Sequence, residues 1–122
     1  MQRSVLVIED EPHIVEAISF ILSRDGWAVR SHAQGHDAVD VVRARPTDVV
    51  ILDVMLPGRS GYEILQELRA DPATQALPVL MLTARGQAKD RDMATRLGAT
   101  RVMTKPFSNS ELLASVRAMV GP

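Results

Sequence analysis

Four consecutive apolar residues, Val49-Val50-Ile51-Leu52, end on a carboxylate, Asp53, and this run limits what the chain can become. Three of the four are β-branched, so the run reads as a short strand, and an unbroken apolar strand is one buried on both faces. Strands of that kind belong to parallel sheets, whose crossover helices cover both sides. Val54-Met55-Leu56 prolong the run briefly before Pro57-Gly58 turns the chain. In open α/β sheets ligands bind beyond the carboxyl ends of the strands, which places Asp53 on the functional edge. A lone aspartate there is more often an ordinary turn residue, and the ends of the other strands decide between the two readings.

Taken in order, the chain repeats the pattern. Ser4 to Ile8 is another apolar run, stopped by Glu9-Asp10-Glu11-Pro12. Pro12 suits the first turn of a helix, and acidic residues before it suit the positive helix N-terminus. Ile14, Val15, Ile18, Ile21 and Leu22 then recur at helical spacing up to Asp25-Gly26. Trp27 to His32 reads as a second strand, and Asp37 to Arg45 as a second helix closed by Pro46. After the third strand, Ser60-x-x-Glu63 has the spacing of a capping box and opens a helix ended by Asp71-Pro72. Pro78 to Leu82 is a fourth strand ending on Thr83, followed by a helix from about Lys89 to Leu97 that Gly98 stops. Arg101-Val102-Met103 is a fifth strand running into Thr104-Lys105-Pro106, and Ser108-x-x-Glu111 is a second capping box before the last helix.

Strand followed by helix, repeated through the chain, requires right-handed crossovers between parallel strands. The expected architecture is a doubly wound α/β sheet with helices on both faces. At 122 residues, the chain fits one domain, expected to span 1–122, with one sizeable core. Only 3% of residues are aromatic, so Val, Leu, Ile, Ala and Met must fill that core. A net charge of −1 gives no sign of a surface for nucleic acid or membrane, and the absence of cysteine removes disulfide and thiolate chemistry. No apolar run near the start is long enough for a signal peptide or a membrane span, and a cytoplasmic protein is expected.

The strand ends collect chemistry. The first strand delivers Glu9 and Asp10, the third Asp53, the fourth Thr83 and the fifth Lys105, while the second delivers nothing obviously reactive. Singly, each has a plain explanation as a helix-end charge, a loop residue or a solvated cation; together they converge on one edge. Two like charges about 4 Å apart repel by about 4 kcal/mol at an effective dielectric near 20, so close carboxylates want a cation. Hard oxygen donors suit Mg²⁺. His13, His32 and His36 lack metal-ligand spacing and read as surface residues. A carboxylate beside Mg²⁺, with an ammonium and a hydroxyl in reach, is equipped to accept a phosphoryl group.

Val-Ile-Glu9-Asp10-Glu, Ile-Leu-Asp53-Val-Met-Leu-Pro-Gly, Met-Leu-Thr83-Ala and Thr-Lys105-Pro-Phe, in that order, resemble the receiver domain of two-component response regulators. Met-Leu-Pro-Gly and Leu-Thr-Ala-Arg are most similar to receivers that precede winged-helix DNA-binding domains. The resemblance implies a flavodoxin-like (βα)5 sheet of order 2-1-3-4-5 and a signalling switch rather than an enzyme with turnover. It implies that Asp53 takes phosphate from a sensor histidine kinase or histidine phosphotransfer protein. Asp10, Asp53 and the backbone carbonyl of Met55 would hold Mg²⁺, with Glu9 acting largely through water. Lys105 would bind the phosphoryl group, Thr83 would swing toward it, and a cis peptide would precede Pro106.

Two positions depart from the family pattern. Where such receivers carry an aromatic three residues before the lysine, this chain has Val102, whose branched side chain has no comparable rotamer swing. Where the DNA-binding subfamily carries an acidic pair on its dimer face, this chain has Thr100-Arg101. Arg91 and Glu111 still match, but the reversed sign weighs against a symmetric dimer through the last two helices and fifth strand. Met55 and Arg85 flank the site and would tune phosphoryl lifetime. The end at Gly121-Pro122 favours a free-standing receiver over one that drives an attached effector. The alternative from another class, a Mg²⁺-dependent phosphatase with an aspartyl nucleophile, usually needs an acidic residue where Met55 stands. A flavin or nucleotide module would need a Gly-rich loop where Glu9-Asp10-Glu11 would repel phosphate.

Overall fold

The computed structural model describes residues 2–84 and 88–121. Strands and helices alternate as β1 (Ser4–Ile8), α1 (Pro12–Arg24), β2 (Ala28–His32), α2 (Ala38–Ala44), β3 (Val49–Asp53), α3 (Gly61–Ala70), β4 (Val79–Ala84), α4 (Ala88–Arg96), β5 (Arg101–Lys105) and α5 (Asn109–Val120). All strand pairs are parallel, in the order β2-β1-β3-β4-β5. This is the doubly wound, flavodoxin-like sheet that the alternation and the resemblance led us to expect.

Period-2 alternation sorts the core into two layers. Leu6, Ile8, Val50, Leu52, Val79 and Met81 face one side of the sheet, where Ala38, Val42, Ile64, Leu65, Leu68 and Ala94 cover them from α2, α3 and α4. Val5, Val7, Val49, Ile51, Leu80, Leu82 and Met103 face the other side, against Ile18 and Leu22 of α1 and Leu112 and Val116 of α5. Every residue of β3 is buried, as an unbroken apolar run at the centre of a sheet should be. The edge strands are less covered: β2 carries Arg30, Ser31 and His32, and β5 starts on exposed Arg101.

Local chemistry sets where the helices begin. Pro12 occupies the first position of α1. Ser108 accepts from the Glu111 N–H while the Glu111 carboxylate accepts from Ser108 N–H, completing the expected capping box of α5. At α3 the box is half made. Ser60 Oγ accepts from the Tyr62 N–H at 3.1 Å, but Glu63 turns to Arg59, 3.7 Å away, because that guanidinium offers a charged partner one turn back. Gly98 stops α4 with φ +105°, a left-handed conformation that glycine adopts without strain.

Side chains tie the helices to the loops beneath them. Arg69 of α3 donates to the carbonyls of Leu77 at 2.7 Å, Gly98 at 2.8 Å and Gln75 at 3.1 Å, pinning the approaches to β4 and β5. Arg117 of α5 pairs with Asp25 at the end of α1, and the Lys105–Pro106 peptide is cis, as the resemblance implies. Among the described residues no helix is long and apolar enough to cross a membrane.

Candidate functional site

The parallel register brings the strand ends together. Ile8 pairs with Leu52, so the residues that follow, Glu9 and Asp53, sit side by side. Ala84 pairs with Lys105, because backbone pairing continues past the apolar runs that mark β4 and β5 in the sequence. Alternation puts Glu9, Asp53 and Lys105 on the side of Val7, Ile51 and Met103, and Thr83 on the side of Met81. Register plus pleat therefore bring Glu9, Asp53 and Lys105 together as expected; Asp10 joins them from the loop after β1, and Thr83, also expected there, follows the opposite pleat.

Lys105 Nζ lies 2.8 Å from Glu9 Oε1 and 3.2 Å from Asp53 Oδ2. Both carboxylates are buried, with Glu9 1% and Asp53 3% exposed. Burial alone would push the ammonium toward its neutral form, but Glu9 and Asp53 together outweigh it and hold Lys105 above its ordinary pKa. Glu9 Oε2 also accepts from the Glu11 N–H at 3.2 Å, which orients the side chain into the site. Asp10 is exposed at the mouth. One oxygen each from Glu9, Asp10 and Asp53 lies within 4.8 Å of the others.

Three carboxylates against one ammonium leave the cluster short of positive charge. Their oxygens are hard donors at a spacing that one divalent cation bridges, and Mg²⁺ completes its sphere readily with waters and a carbonyl. The residues fit such an ion. Thr83 Oγ1 is buried and has no hydrogen-bond partner among the described residues, a polar atom left free on the next strand.

Met55 stands two residues past Asp53, 75% exposed, on the wall of an open groove of about 1070 Å³ shared with Asp10, Tyr62 and Asp90. Arg85, the other residue expected to flank the site, lies outside the described residues. The expectation of surface histidines holds for His13 and His36 and fails for His32. Its Nε2 sits half-buried 2.6 Å from Asp37 Oδ1, since Asp37, the N-cap of α2, follows five residues after the strand end and brings its carboxylate back over it.

The family model for the response regulator receiver domain matches residues 5–117. The chain belongs to this family. Among solved structures, a candidate response regulator from Chloroflexus aurantiacus J-10-fl is 32% identical with a TM-score of 0.95, the match covering 98% of each chain. The receiver domain of a sensor histidine kinase from Pseudomonas aeruginosa PAO1, solved with a magnesium ion coordinated in its active site cleft, is 28% identical with a TM-score of 0.90, covering both chains completely (100%). A chemotaxis response regulator of Vibrio cholerae is also 28% identical at a TM-score of 0.90, over 98% of this chain and 99% of its own. As a receiver domain, the chain is a signalling module of two-component systems. Its likeness to receivers preceding winged-helix domains rests on the Met-Leu-Pro-Gly and Leu-Thr-Ala-Arg stretches alone.

Proposed function

We propose that this receiver accepts a phosphoryl group on Asp53 from a phosphohistidine on a sensor kinase or a histidine phosphotransfer protein, in a Mg²⁺-dependent step. One observation carries the proposal: a buried Asp53 carboxylate 3.2 Å from an ammonium, with oxygens of Glu9 and Asp10 within 4.8 Å. A buried nucleophile with a cation and a metal-binding cluster at hand has the parts that phosphoryl transfer uses.

Asp10, Asp53 and the Met55 backbone carbonyl would hold the ion, and Glu9 would act through water while orienting Lys105. Bound Mg²⁺ supplies positive charge to the oxygens of the transferring group. An Asp53 oxygen forms the new O–P bond as the donor's N–P bond breaks, and the electron pair stays on the imidazole nitrogen, which takes up a proton. Lys105, already beside Asp53, neutralises one phosphoryl oxygen, and the Thr83 hydroxyl donates to another. Phosphorylation changes which protein partner the module binds. The magnesium ion in the Pseudomonas aeruginosa receiver supports the metal assignment.

Intact-mass spectrometry after incubation with acetyl phosphate tests this. Wild type gains one phosphoryl group with Mg²⁺ and none in EDTA, and Asp53→Asn gains none. A variant still labelled on another residue removes Asp53 as the acceptor. Kinase-dependent transfer then separates a receiver that answers only its cognate donor from one that never takes phosphate.

A further inference from the structure

Gly61 opens α3 and is buried against the end of β3 with no room for a side chain. A Cβ there would stand 2.1 Å from the Asp53 carbonyl oxygen, 2.9 Å from its carbonyl carbon and 2.9 Å from Val54 Cα. These are backbone atoms, which cannot rotate aside as the tip of a side chain would. Positive φ does not explain the glycine: that conformation is confined, among the described residues, to Gly26, Gly58, Gly98 and Gly121. Space alone excludes a side chain.

The same contact fixes the peptide that leaves the acceptor. The Gly61 N–H donates to the Val54 carbonyl at 2.9 Å, while the Val54 N–H donates to the Leu82 carbonyl at 3.1 Å. The Asp53–Val54 link is thus clamped from α3 on one side and β4 on the other. Ile64, Leu65 and Leu68 are fully buried, so α3 is anchored in the core and does not retreat to admit a methyl group. The turn holding residues 53–55 must give way instead.

We propose that Gly61 is a positioning residue for phosphoryl transfer, letting α3 abut the Asp53–Val54 peptide and so aiming the Asp53 carboxylate and the Met55 carbonyl at the ion and phosphoryl group. The inference rests on Asp53 being the acceptor. Relief of a 2.1 Å clash needs a shift of about 1 Å, and displacement of that size at a reacting group costs about a hundredfold in rate. Gly35 supplies a matched control, since a Cβ there would stand 2.4 Å from the Arg59 carbonyl oxygen, a backbone clash that does not touch Asp53.

The experiment measures phosphorylation rate by acetyl phosphate at saturating Mg²⁺, Mg²⁺ affinity and urea midpoint for wild type, Gly61→Ala and Gly35→Ala. Gly61→Ala is expected to be slower by about a hundredfold and to bind Mg²⁺ more weakly, with Gly35→Ala near the wild-type rate despite a similar loss of stability. A wild-type rate in Gly61→Ala, or equal slowing in both variants, overturns the inference, the second because general loosening would then be the cause. If Gly61→Ala does not fold, amide shifts in the wild type decide. The Gly61 amide must move with Val54 on Mg²⁺ binding and again on phosphorylation, and a Gly61 amide that stays still overturns the proposal. A wild type that takes no phosphate, or an Asp53→Asn still labelled, instead breaks the functional reading, and the inference falls with it.

Discussion

Lys105 stands between two buried carboxylates, and its loss and theirs should have opposite effects. Asp53→Asn removes two repulsions, with Glu9 and Asp10, and one attraction, with Lys105. In EDTA the variant is expected to be more stable than wild type by about 1 kcal/mol. Lys105→Met removes attractions alone and leaves buried acids uncompensated, a loss on the order of 3 kcal/mol. Urea midpoints in EDTA check both signs, and a destabilised Asp53→Asn would mean that the cluster is not under repulsive strain. Because Lys105 titrates higher in the folded protein, its stabilising contribution is complete below the ordinary lysine range and fades as pH rises through the raised value. Glu9, Asp10, Asp53 and Lys105 were legible as a cluster because each stands at or just past the end of a strand, where the sheet gathers them, whereas Thr83, read from the same rule, follows the opposite pleat. Gly61 and the His32–Asp37 pair were not legible. A glycine after a capping serine looks like turn chemistry, and nothing in the sequence announces that a carbonyl lies against it.

Helix α4 is the helix the core holds least, with Ala94 its one fully buried residue. Its sequence is mostly polar, and the boundary read from Lys89 and Gly98 was close because glycine ended it, not because an apolar stripe defined it. Tyr62 reaches it from α3, its hydroxyl donating to the Asp90 carbonyl at 3.3 Å. Burial first, then the neighbouring Asp90 carboxylate, push the Tyr62 hydroxyl up to about 12. Tyr62→Phe keeps the ring and removes this tie. Backbone amides of α4 should exchange faster in the variant while those of α3 are unchanged; equal exchange in α4 would show that packing, not the hydroxyl, holds it. The pH sign follows from the raised value. The hydroxyl stays protonated longer in the folded state, so its contribution is intact below the ordinary tyrosine pKa of about 10 and declines toward 12. Wild-type stability should therefore fall relative to Tyr62→Phe across that interval. Val102 sits partly buried beside the same core layer, where an aliphatic side chain offers no hydroxyl and no ring to swing.

Across the whole molecule, the unbroken apolar runs of β1, β3 and β4 and the polar residues of β2 and β5 separate centre from edge by burial alone. Which edge each outer strand takes was not readable from those runs; the order 2-1-3-4-5 entered with the family resemblance, and the register confirms it. Leu52 lies in the core layer under α2 and α3, one residue before Asp53. Leu52→Ala is expected to cost about 2–5 kcal/mol in urea unfolding, and a smaller loss would mean that the layer collapses into the space.

The acidic cluster sits on that core as a local cost that a bound ion would reverse. A ligand bound to the folded state alone stabilises the whole domain by mass action, by about 2.7 kcal/mol at a hundredfold excess over its dissociation constant. For a domain of this size each kcal/mol moves the unfolding midpoint by about 3–5 °C. Mg²⁺ should therefore raise the wild-type midpoint progressively with concentration. Asp10 is the discriminating position, since it is exposed and belongs to neither core layer, yet offers an oxygen to the cluster. Asp10→Ala is expected to match or exceed wild-type stability in EDTA, where a repelling charge has gone, and to fall below it in millimolar Mg²⁺, where the ion has lost a ligand. Thermal unfolding of both proteins across a Mg²⁺ series gives curves that cross if the cluster is the metal site. Curves that stay parallel would place Mg²⁺ binding elsewhere and detach the three carboxylates from the ion.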